Sequence, residues 1–122
     1  MQSVTSNAVA NSLSYSETEQ KTGGKWIDGK PIYRKVVACG ALPNNTTKNV
    51  AHNISNVGRF INYYGTAKGN TTTINIPYLD GSGHDYSVFV NVNNTNVVIR
   101  TYKDRSAYTD TYIILEYTKS TD

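Results

Sequence analysis

Charge is scarce in this chain. Only 17% of its 122 residues are Asp, Glu, Lys or Arg, against about a quarter in ordinary globular domains. The twelve basic residues run from Lys21 to Lys119 without a cluster, and the net charge is +3. Proteins that neutralise nucleic-acid phosphates gather Lys and Arg on one face or element, so no nucleic-acid partner is expected. Cysteine is nearly absent. Cys39 alone excludes an intrachain disulfide and a cysteine zinc site. At the end of the apolar run IYRKVVACG it reads as a buried structural thiol. Long apolar runs are missing as well, so no membrane insertion is expected, and residues 1–20 lack the pattern of a signal peptide.

Catalytic signatures are equally sparse. The two histidines, His52 and His84, have no partners at metal-ligand intervals, and no metal or cofactor is expected. The chain contains no GxSxG, P-loop or GxGxxG. Of its nine acids, Glu17, Asp28 and Asp80 sit beside Gly or Ser, and turn formation is a better reading than a glycosidase pair. DGSGHD (80–85) lacks the ligand series and closing Glu of a calcium loop, so it reads as a turn with His84 as a polar loop residue. Sequons such as those at Asn45, Asn53 and Asn70 are attributed to the abundance of Asn and Thr. No catalytic residue is assigned, and no enzymatic activity is expected.

What the chain does have is Asn, Ser, Thr and Tyr. Tyr outnumbers Phe ten to two, which gives aromatic surface with polar tips. Strand patterns recur at short intervals. YSVFVNVNNTNVVIRTY alternates through Tyr86, Val88, Val90 and Val92, turns at NNTN, and returns through Val97, Ile99 and Thr101: a β-hairpin. TTTINIPYL puts Ile74 and Ile76 on one face, and TYIILEYTK aligns Ile113, Leu115 and Tyr117. Asp28-Gly29 marks a turn before a strand that starts near Ile32, GALPNNTTKN reads as a loop, and a further strand is read near residues 58–64. Trp26, beside Ile27 at a strand start, reads as core. Seven or eight such strands predict an antiparallel β-sandwich of jelly-roll type over residues 25–122.

The head of the chain differs. Residues 1–15 carry a weak helical stripe, with Val4, Ala8, Val9 and Leu13 on one side. A helix this short and this poor in propensity needs burial to persist. Residues 16–24 read as a polar, Gly-terminated linker, so the helix is expected to pack against copies of itself as a trimeric stalk end. A polar-ligand site is expected at Tyr102, Lys103, Arg105 and Tyr108, where aromatic faces and hydrogen-bonding groups crowd one loop.

These strings resemble the C-terminal domain of phage tail fibres and related virion structural proteins. The resemblance rests on VTSNAV, the Y-S-x-x-E stretch from Tyr15, GKWIDGKPIY, ALPNN, HNI and the closing YTKSTD, and it spans nearly the whole chain. It implies a distal fibre domain: a homotrimer joined to upstream fibre parts, carried on a virion and assembled in the bacterial cytoplasm. It further implies adhesion to a bacterial surface receptor, a glycan or a protein, without cleavage. It supplies no contact residues. Competing readings are a monomeric carbohydrate-binding module of a secreted protein, a ligand-free trimerisation cap, and a depolymerase fragment.

Overall fold

The last strand organises the molecule. In β8 (Asp110–Lys119) the side chains of Thr111, Ile113, Leu115 and Tyr117 point the same way and are at most 1% exposed. That is the alternation expected of a strand with one face on a core. A computed structural model of the chain describes residues 14–83 and 85–122, and in it β8 is the middle strand of five. On one side lies β2 (Pro31–Gly40), on the other the 12-residue β4 (Val57–Lys68). Their registers align Val37 and Gly65 with Ile113, and Tyr33 and Phe60 with Tyr117. Two short edge strands complete the sheet: β1 (Gln20–Lys25) beside β2, and β5 (Thr73–Ile76) beside β4.

A second sheet has the order β3 (Thr47–Ala51), β7 (Asn96–Thr101) and β6 (Val88–Val92). Every pairing in both sheets is antiparallel. Val97, Ile99 and Val88 from this sheet share one buried cluster with Val37, Cys39, Ile74, Ile76, Ile113, Leu115 and Tyr117 from the other. The fold is therefore all-β, two antiparallel sheets closing over one core, as in a β-sandwich. Burying each large aliphatic side chain here contributes roughly 1.5–3 kcal/mol.

Most strands lie where alternation put them. The hairpin spans β6 and β7 with its turn at residues 93–95, where Asn93 Oδ1 accepts the Thr95 and Asn96 N–H groups and the Thr95 hydroxyl. Ile74 and Ile76 point inward from β5.

Three expectations change. Residues 16–24 are not a free linker: Gln20–Lys25 forms β1, with Gln20 opposite Arg34 and Lys25 opposite Pro31. QKTGGK has no apolar residue to announce a strand. It is held by backbone pairing at the sheet edge, across a bulge between Lys21 and Lys25. Trp26 is not core. It is half-buried in the β1–β2 turn with the Arg59 guanidinium 5.9 Å from its ring, and its backbone N–H donates to Lys30 O at 2.9 Å. Gly29, with φ of +87°, supplies the left-handed residue this turn requires. Finally, the loop predicted over 40–49 ends sooner, because β3 begins at Thr47.

Of the helix expected over 1–15, residues 1–13, with the stripe of Val4, Ala8, Val9 and Leu13, lie outside the described residues, as does His84, while Ser14 and Tyr15 are described and are not helical. Among the described residues there is no helix, hence none long and apolar enough to cross a membrane.

Candidate functional site

Loops from four connections meet at one end of the two sheets. The β7–β8 loop is fastened to the β2–β3 loop by backbone bonds: Leu42 N–H to Tyr108 O at 2.9 Å, Asn45 N–H to Lys103 O at 3.1 Å and Arg105 N–H to Pro43 O at 3.2 Å. The buried Thr101 hydroxyl donates to Pro43 O at 3.0 Å from the same region. Asp104 caps its own turn through the Ser106 N–H and hydroxyl, and those bonds hold its carboxyl below the usual carboxylate range.

Arg105 sits at the centre. Its guanidinium lies 5.4 Å from the ring centre of Tyr78, 5.5 Å from Tyr86 and 5.0 Å from Tyr108. Tyr78 arrives on the β5–β6 connection and is fixed by mutual backbone bonds with Val88. Tyr108 also walls a neighbouring groove of about 210 Å³, together with Asn70, Thr71, Thr72 and Ala107. This end therefore offers aromatic faces, hydroxyls, an amide and a cation within one neighbourhood.

The four residues expected to form a ligand site divide. Arg105 and Tyr108 meet. Tyr102 does not join them: it packs edge-on against Phe89 at 6.0 Å and carries the Arg100 guanidinium 4.5 Å from its ring. Lys103 is exposed and contributes its carbonyl to Asn45. Sequence reasoning missed Tyr78, Tyr86 and the Asn70–Thr72 segment. In the sequence Tyr86 reads only as the start of the hairpin, and its separation from Arg105 along the chain hides their contact.

Two other clusters explain conspicuous residues without a ligand. His52, 1% exposed, has Nε2 2.8 Å from Asn93 O and accepts the Ile54 N–H on Nδ1 at 3.1 Å. These bonds require the proton on Nε2, and they tie the β3–β4 connection to the β6–β7 turn. The second cluster joins the start of the described chain to its end. Glu19 accepts the Tyr117 hydroxyl at 2.6 Å and pairs with Lys119 at 2.9 Å. Tyr117 stacks on Tyr33 at 5.9 Å, and the Tyr33 hydroxyl donates to Asp122 at 2.8 Å. Burial first, and then the bond to Glu19, push the Tyr117 phenol well above its ordinary value. Beside this, Tyr15 stacks on Arg34 at 4.7 Å, Arg34 pairs with Glu116 at 3.1 Å, and Ser16 O accepts the Val36 N–H.

No group of three or more His, Cys, Asp and Glu among the described residues is arranged to hold a metal ion. Comparison with protein-family models, curated proteins and solved structures finds no match to this chain.

Proposed function

We propose that this chain is the distal domain of a phage-type tail fibre, a homotrimeric structural adhesin that holds a bacterial surface glycan without cleaving it. The observation that carries the reading is the loop end: three tyrosines around Arg105, beside a groove lined by Asn70, Thr71 and Thr72. Sugars are bound by aromatic faces flanked by a few placed hydrogen-bonding groups, and these residues are of that kind.

Two further features support it. Two of the strings that carry the fibre resemblance meet in space: Tyr15, Ser16 and Glu19 of the Y-S-x-x-E stretch grip Tyr117 and Lys119 of the closing YTKSTD, and Arg34 and Val36 of β2, as expected of elements that join a stalk to a head. The nested pairing of β2 with β8 and β3 with β7 suits a jelly-roll plan. Trimerisation is favoured by the outward face of the larger sheet, where Val36, Ile114 and Tyr64 form a cross-strand row of half-buried apolar and aromatic groups. Three weak sites on one tip would act with raised effective concentration.

The test is binding of the labelled 122-residue chain to a panel of bacterial cells. Tyr108→Ala is expected to weaken binding while the oligomer keeps its mass, and Tyr102→Ala to have little effect. Retention of the cell-bound polysaccharide at full length is also expected; its degradation would replace the adhesin with a depolymerase.

A further inference from the structure

We propose that Arg105 is the anion-binding centre of the loop end and that its ligand is an acidic sugar, with the carboxylate on the guanidinium and the sugar ring against the tyrosines; this rests on the adhesin reading and names the chemical class that reading leaves open. Among the described residues Arg105 has aromatic neighbours but no ion pair. Its Nε is buried without a hydrogen-bond partner among the described residues, and the ion pairs found there, Arg34–Glu116 and Lys119–Glu19, do not include it. Ring faces steady a cation through their quadrupole but do not accept along the N–H edge as a carboxylate does. The half-buried guanidinium gains two parallel charge-assisted bonds when a planar anion meets its terminal Nη groups.

Asp104, next to Arg105 in the chain, and Asp80, in the facing loop, are committed elsewhere. Asp104 binds the Ser106 N–H and hydroxyl. Asp80 binds the Ser82 N–H and hydroxyl and the Tyr86 N–H. The Arg105 backbone is fixed on both sides, donating to Pro43 O and accepting the Tyr108 N–H at 3.1 Å, so the charge is pre-positioned rather than mobile. Tyr108 is shared by the Arg105 cluster and the groove, so a sugar with its acid group on Arg105 can reach the Thr71 and Thr72 hydroxyls and the Asn70 amide. A neutral sugar has only the groove. A phosphate ester would meet the same guanidinium, and the experiment must separate the two.

The experiment is an NMR titration of the isotope-labelled 122-residue chain with trigalacturonate, glucose 6-phosphate and maltotriose. Trigalacturonate is expected to move the Arg105 Nε–H resonance and the amides of Gly69–Thr72, with affinity that falls as salt rises. Maltotriose should bind at least about tenfold more weakly, the least that hydrogen bonds to a charged group are worth. Arg105→Gln should lose at least about the same factor. Arg105→Lys, which keeps the charge but not the planar fork, should lose most of it too. Circular dichroism decides which variants are native, and if Arg105→Gln is not, Arg105→Lys carries the comparison. The proposal is overturned if trigalacturonate does not bind, if maltotriose binds as well, if a native Arg105 variant binds unchanged, or if glucose 6-phosphate is preferred. Cell binding separates this failure from that of the adhesin. Equal binding by wild-type and Arg105→Gln chains would remove the acidic-sugar assignment alone, whereas wild-type chain that binds no cells would remove the adhesin itself.

Discussion

At the scale of single residues, burial and hydrogen bonding set how the protein answers to pH and to substitution. Cys39 is 3% exposed, donates weakly to Val37 O, and has its thiol pushed up from 9.0 to about 11 by burial. The folded state holds that proton more tightly than the unfolded chain, so the contribution is complete below about pH 9 and is lost as pH rises towards 11. Tyr117 and Tyr33 are raised in the same direction from 10.0, so their contributions fade over a window that starts higher. The urea midpoint is therefore expected to be level near neutrality and to fall progressively above about pH 9. Cys39→Ala should flatten the first part of that fall; a midpoint that rises with alkali would contradict the assignment. Glu19 is the other decisive residue. Glu19→Gln removes the ion pair to Lys119 and weakens the bond from Tyr117, and should cost about 1–3 kcal/mol by urea unfolding. The role of Glu19 was not legible from the sequence, because nothing local indicates that residue 19 meets residues 117 and 119.

At the scale of elements, legibility follows apolar alternation. The β6–β7 hairpin, β5 and β8 could be read because Val88, Val97, Ile99, Ile74, Ile76, Ile113 and Leu115 advertise a buried face every second residue. β1 could not, because its identity lies in its neighbour's unpaired backbone and not in its own side chains. The same distinction applies to the ligand site: Arg105 and Tyr108 are three residues apart and were found together, while Tyr78 and Tyr86 come from a different connection and depend on topology. Where β4 passes β8, the chains come so close that a Cβ on Gly65 would collide with the Tyr112 carbonyl and the Ile113 side chain. Gly65→Ala should therefore destabilise by about 2–3 kcal/mol, by overpacking against backbone that cannot yield. Leu115→Ala, which leaves a void in the same region, should cost about 2–5 kcal/mol. Thermal melts of the two variants against wild-type check both values, and a Gly65→Ala protein that melts with wild-type would show that β4 and β8 can separate.

At the scale of the whole molecule, the described core draws on residues from Val37 to Tyr117. Deleting residues 1–13 is accordingly expected to leave the melting temperature within a few degrees of wild-type. Under the trimer proposal, light scattering should give three chains for the complete protein and a lower mass for the shortened one. A melting curve that collapses on deletion would mean that those residues complete the fold. The fold class was legible as a consequence of strand spacing, whereas the trimer is an expectation drawn from a short amphipathic stripe needing burial; neither depends on knowing a ligand.

The bond between Glu19 and Tyr117 also bears on mechanics. β1 is an edge strand, and a tug on the chain at residue 14 would by itself peel β1 from β2 one backbone bond at a time. Glu19 reaches past β2 to Tyr117 and Lys119, which belong to the middle strand of the sheet. Tension entering from the N-terminal side is thus delivered to β8, which is flanked by its two longest neighbours and gives way only if many bonds fail together. An anchor of that kind lets the domain be pulled by a tether without being unravelled by it.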